Sequence, residues 1–157
     1  MSVRLHVEFN DDLTHDHTYR GDSPAMSIYW SNGEAAYPQR HWQDAGATLL
    51  ACWLTAAQRL AHGAMHEDFV FMNGGYHLTV RPSGTSYRLS SPDLSGGWSI
   101  SREGLYQELL THAEQVCAKL SHLGSQNPTV LADCHALRAG MDKLNAFLEE
   151  EKLAVLV

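Results

Sequence analysis

Two asparagine-glycine steps, Asn32-Gly33 and Asn73-Gly74 (the second extended by Gly75), each lie between segments whose apolar residues recur at every second position. Both residue types tolerate positive φ, which a tight connection between antiparallel strands needs. Period-two patterning marks a half-buried strand. The chain is therefore punctuated for hairpins, and no regular strand–helix alternation runs through it. That pattern predicts an α+β fold with a mainly antiparallel sheet.

The first strand is predicted at Val3 to Phe9, with Val3, Leu5, Val7 and Phe9 on one face and Arg4, His6 and Glu8 on the other. A polar loop follows, closed by Pro24. Ala25 to Trp30 is a second strand, and Glu34 to Tyr37 a short third one stopped by Pro38. Asp44 to His62 carries a broad apolar stripe at helical spacing (Leu49, Leu50, Trp53, Leu54, Ala57, Leu60). Asp44 is placed to cap its start and Gly63 to end it.

"FVFMNGGYHLTVRP", from Phe69 to Pro82, reads as a hairpin, and Tyr87 to Ser90 as a returning strand. The Gly/Ser/Pro-rich "SSPDLSGGW" reads as a loop. Ser101 caps a second helix that ends at Gly124. Asn127 caps a third, with Pro128 in the first helical position, where a missing N–H does no harm. The short connection makes these two helices antiparallel neighbours. The tail "EEEKLAVLV" fits a longer last helix, a frayed end or a further strand. Residues 1–157 thus form a single α+β domain: five or six mainly antiparallel strands in one sheet, with three helices packed on one face. The other face, bearing His6, Glu8, His77, Thr79 and Arg81, is expected to be polar.

Composition narrows the function. Some 44% of residues are apolar and 18% charged, enough for a real core, and net charge is −7 with the histidines neutral. An acidic chain repels phosphate backbones and attracts basic partners, so nucleic acid is not an expected partner. "MSVRLHVEF" lacks the apolar core of a secretion signal, and no apolar run approaches the ~20 residues of a membrane span. A cytoplasmic protein without membrane contact is expected. Cys52, Cys117 and Cys134 form no CxxC and lie in apolar helical patterns, the setting of buried free thiols.

No Walker loop, GxGxxG, GxSxG or HExxH is present. No cofactor and no catalytic residue is expected from a motif. The densest polar stretch is "DDLTHDHTYRGD", Asp11 to Asp22. His15, Asp16 and His17, helped by Asp11, Asp12 or Asp22, have the chemistry of a divalent-metal site. A solvated loop accounts for the same residues, and a metal-dependent small enzyme is the reading that treats them as ligands. Tyr19, Trp42 and Trp98 stand near turn residues, either as interface anchors beside carboxylates or as covers for the edge of the core.

The single acidic domain and the stretches "FVFMNGGYHLTV" and "SREGLYQELLTHAEQV" resemble the small immunity proteins of bacterial polymorphic-toxin and contact-dependent growth inhibition systems. That resemblance implies a binding protein that meets one cognate protein toxin in the cytoplasm and neutralises it by direct contact. Many such toxins have basic clefts, which an acidic loop can fill. On this implication Asp11, Asp12, Asp16 and Asp22 are the contact residues, with Tyr19 as anchor. A small acidic secretion chaperone or adaptor, presenting an apolar groove and dimerising, is the remaining alternative.

Overall fold

A computed structural model describes residues 2–10, 23–123 and 127–155. Among them are eight strands and three helices: β1 (Arg4–Glu8), β2 (Ala25–Ser31), β3 (Ala36–Tyr37), β4 (Gln43–Ala45), α1 (Gly46–Ala61), β5 (Glu67–Val70), β6 (His77–Ser83), β7 (Ser86–Ser91), β8 (Leu94–Ser101), α2 (Arg102–Leu123) and α3 (Pro128–Val155). All strand pairings are antiparallel. The α+β class is as the hairpin punctuation requires, but the strands make two four-stranded sheets in place of one.

In the first sheet β2 is central. β1 pairs along one edge, from Arg4↔Ser31 to Glu8↔Ser27. The other edge is shared: β3 takes Trp30 and Ser31, and β4 takes Ala25, Met26 and Ser27. Pro38 cannot donate to a ladder, so the third strand is interrupted after β3. Ile28 N donates to Trp42 O (2.7 Å) and keeps the edge closed across the break. Residues Met26 to Ser31 of β2 are all buried, so Ser27, Tyr29 and Ser31 do not form the solvated face that alternation suggests.

The second sheet is a meander, β5-β6-β7-β8. Gly74 and Gly75 take positive φ (74° and 67°) in the β5–β6 turn, as predicted for this hairpin. "SSPDLSGGW" is not a loop. Ser91 pairs with Leu94 around a tight turn, and β8 runs on to bury Trp98 and Ile100. Gly96 and Gly97 adopt φ of 79° and 65° where the register shifts between Leu89 and Ser91. Glycine here serves a bulge inside a strand, a role that composition alone reads as a break.

Ser101 caps α2 through its Oγ, which accepts Gly104 N–H at 2.9 Å. Asn127 Oδ1 accepts Thr129 N–H (3.0 Å) and Val130 N–H (3.3 Å) ahead of Pro128. α3 continues through the acidic tail to Val155. Asp44, in contrast, caps nothing: it lies in β4, and α1 begins after Ala45 with no side-chain cap. α1 and α2 meet the sheets, and α3 packs against α1 and α2. A Cβ at Gly140 of α3 would come within 3.2 Å of the Leu54 side chain, so glycine sets the close α1–α3 approach. The core centres on Trp30, Trp53 and Phe69, with Trp53 stacked on Phe69 at 5.7 Å and its indole N–H donating to Val70 O (2.9 Å). Trp98 is buried and Trp42 partly buried against this core, so both cover its edge. No described helix is long and apolar enough to cross a membrane.

Leu109 and Leu137 are fully buried on facing helices. Leu137→Ala is expected to lower the unfolding free energy by about 2–5 kcal/mol, the range for a cavity in a packed core. Urea denaturation with an unchanged slope checks it.

Candidate functional site

The sequence concentrates charge between β1 and β2. Residues 11–22 hold four of the eighteen carboxylates and one of the eleven Lys/Arg side chains, and so supply three of the seven net negative charges. Asp11, Asp12, His15, Asp16, His17, Tyr19 and Asp22 all lie outside the described residues. What the structure describes is how this segment is mounted.

On the β1 side, Asn10 Nδ2 donates to Ala25 O (2.9 Å) and to Gln43 Oε1 (3.0 Å), tying the segment's entry to β2 and β4. On the β2 side, Ser23 Oγ donates to Asp133 Oδ2 of α3 (2.8 Å) and receives Thr48 Oγ1 of α1 (3.4 Å). Both ends of the acidic segment are thus held by side-chain hydrogen bonds to strands and helices that belong to the core. Burial raises the Asp133 carboxyl above its ordinary range, and the Ser23 hydroxyl pulls the other way. Sequence reading missed Asn10, Ser23 and Asp133; the only signal was a polar residue at each flank of the loop.

Across β1 and β2, the His6 ring stacks on Tyr29 (4.8 Å, 10° between planes), and His41 meets Tyr29 edge-on at 5.7 Å. Glu8 lies 3.4 Å from His41 Nδ1, with both side chains more than half exposed. A pair so open to water contributes little. The single polar face expected to carry His6, Glu8, His77, Thr79 and Arg81 is split. β1 and β6 belong to different sheets, so the period-two faces they share in sequence are not one surface.

Asp44 is the one charged side chain in the buried set among the described residues. Its carboxylate accepts Ala45 N–H (2.8 Å), the Trp42 indole N–H (3.1 Å) and Asn73 N–H from the β5–β6 turn (3.1 Å). Asn73 Nδ2 adds a bond to Gln43 O (3.1 Å). Tyr37 makes a second tie between the sheets, its hydroxyl donating to His77 O (2.9 Å).

Among the described residues, no three His, Cys, Asp or Glu side chains converge as a metal site. Cys52 is exposed, against the expectation of a buried thiol; Cys117 and Cys134 are buried. Their α1 and α2/α3 positions differ because Cys52 falls at the margin of the α1 stripe. A cleft of about 740 Å³ lies between α2 and α3, with Tyr106, Leu110 and Leu148 as its apolar wall and Glu103, Glu149 and Glu151 at its rim. The Tyr106 hydroxyl is bonded to that of Tyr87, and burial with this bond holds its phenol well above the ordinary range, hence neutral. His112 is half-buried beside Glu108, whose Oε1 accepts Leu5 N–H (3.0 Å) at the outer edge of β1. Burial, the largest influence, lowers the imidazole below its ordinary 6.5, against the opposing pull of Glu108.

Comparison with protein-family models, with curated proteins and with solved structures returns no match.

Two outcomes follow from these contacts. Asp44→Ala is expected to destabilise by about 2–4 kcal/mol, because three part-buried donors lose their buried acceptor; Asp44→Asn retains part of the set and loses less. For His112 the folded value lies below the unfolded one, so the unfolded chain binds the extra proton first. Its contribution to stability is full above about pH 6.5 and is lost as pH falls below it. His112→Gln flattens that part of the stability–pH curve, measured by denaturation between pH 5 and 8.

Proposed function

We propose that this chain is a cytoplasmic binding protein that neutralises a cognate toxin domain by direct protein–protein contact. Asp11, Asp12, Asp16 and Asp22 enter a basic cleft of the partner, and Tyr19 supplies an apolar anchor. The observation that carries this reading is the anchoring of the two residues that flank this acidic stretch. Asn10 and Ser23 fix both of its ends to β2, β4, α1 and α3. With Asn10 and Ser23 anchored, less ordering entropy is lost on binding than with a free tail.

The electrostatics favour capture of a basic partner. Charges at a rim mainly raise the association rate, while the buried contacts formed afterwards set the residence time. At physiological salt the Debye length is about 8 Å, so steering acts only where the carboxylates are grouped. The four aspartates fall within twelve positions of the sequence. Neutralisation then needs no bond-making chemistry: occupancy of the partner's substrate cleft is sufficient.

Replacing Asp11, Asp12, Asp16 and Asp22 together by Asn tests the reading. Stability is expected to change by no more than about 0.5 kcal/mol per site, the usual range for surface positions. Association with the toxin domain, followed by stopped flow, is expected to slow at least about tenfold at low salt and to lose most of its salt dependence. Equal rates for the variant and the parent chain would remove the loop from the account.

A further inference from the structure

α2 and α3 run antiparallel, and they bring Cys117 and Cys134 face to face in the interface between them. The contacts are reciprocal. Cys117 Sγ lies 3.8 Å from Cys134 O, and Cys134 Sγ lies 3.9 Å from Cys117 O. In a helix each Cβ leans toward its own N-terminus. In an antiparallel pair the two sulfurs therefore lean in opposite directions past each other, each resting on the other residue's carbonyl. The two reciprocal contacts put Cys117 and Cys134 at the same level of the α2–α3 interface, the juxtaposition from which a disulfide forms.

We propose that Cys117 and Cys134 are a disulfide-forming pair that a low-molecular-weight disulfide oxidises, locking α2 onto α3. The inference is independent of the proposed function. Cys117 is the attacking sulfur. It sits behind an exposed bridge, in which Arg138 pairs with Glu114 (2.9 and 3.2 Å) and directs a guanidinium N–H to the Cys117 sulfur at 3.7 Å. Displacement of Arg138, whose side chain is about half exposed (49%), uncovers it. The Cys117 thiolate, having released its proton to water, displaces one thiol from the small disulfide and forms a mixed disulfide. Cys134, deprotonated in turn, attacks the Cys117 sulfur and displaces the second thiol. Two protein S–H bonds are exchanged for one S–S bond, and the small disulfide is reduced to two thiols. Cys134 is slower to react, since burial pushes its thiol up.

The consequence reaches the neck of the acidic segment. Cys134 follows Asp133, which grips Ser23. A bond from Cys134 to α2 fixes the first turns of α3 and so that anchor.

The test uses the full chain carrying Cys52→Ser, which removes the exposed thiol and its intermolecular products. The protein is equilibrated with oxidised glutathione in urea below the unfolding transition, quenched with iodoacetamide and weighed. The expected result is a loss of two hydrogens, a peptide pair joining positions 117 and 134, and a melting midpoint raised by roughly 5–10 °C. Dithiothreitol reverses all three, and the further change Cys117→Ser abolishes them. Two alkylated cysteines, or one glutathione adduct on each, would overturn the proposal. A cross-link that lowers the midpoint would also overturn it, because it would show that the helices must move apart to form the bond.

Discussion

The carboxylate of Asp44 decides how the two halves of this fold meet. A buried anion is tolerated only where its oxygens are paired, and here three N–H groups converge on it from Ala45, Trp42 and the Asn73 turn. Each of those donors belongs to a different problem of assembly. Ala45 is the junction of β4 with α1. Trp42 closes the broken edge of the first sheet. Asn73 is the turn of the second sheet. Charge-assisted bonds are stronger and shorter than neutral ones, so one side chain at the centre fixes β4, the start of α1 and the approach of the second sheet together. The positive end of the α1 dipole adds to its stabilisation. The Tyr37 hydroxyl, bonded to His77 and Ser91, repeats the bridge at the other end of the break.

Local signals carried far in the sequence. The Asn-Gly and Asn-Gly-Gly turns, the Ser101 and Asn127 caps and the apolar stripes of the three helices are encoded within a few residues, and they appear where spacing puts them. What failed was long-range. Asp44 has the chemistry of an N-cap, but its tie to the second sheet is to Asn73, 29 positions away, which no local pattern reports. Gly96 and Gly97 read as a loop because a bulge and a break use the same residue. The split into two sheets depends on β2 being shared by β1, β3 and β4, which fills its edges and leaves β5 to β8 to form a sheet of their own. The single polar face shared by His6 and His77 fell with it, since strands with matching alternation are neighbours only if they pair.

The candidate site was legible in charge but not in anchorage. Asp11 to Asp22 stands out as an acidic stretch between two strands, and its chemistry is plain from the sequence. The neck is a different matter. Asn10, Ser23, Thr48 and Asp133 are unremarkable polar residues until the fold brings α1, α3 and the β2–β4 edge to one place. In the proposed function the two features have separate tasks: the aspartates attract, and the neck keeps their attraction directed. Because Asp133 is strained toward the neutral form by burial yet holds Ser23, the anchor is bound to the packing of α3 as much as to its own hydrogen bond.

The central claim is that this chain acts by occupying another protein, not by turning over a substrate. The most direct measurement titrates the activity of a candidate toxin domain, taken from the adjoining reading frame, with increasing amounts of the purified chain. The account predicts a linear fall that ends at one chain per toxin domain, with the two proteins leaving a gel-filtration column together. Activity that survives a large excess of the chain, or that vanishes at a small fraction of stoichiometry, would contradict it.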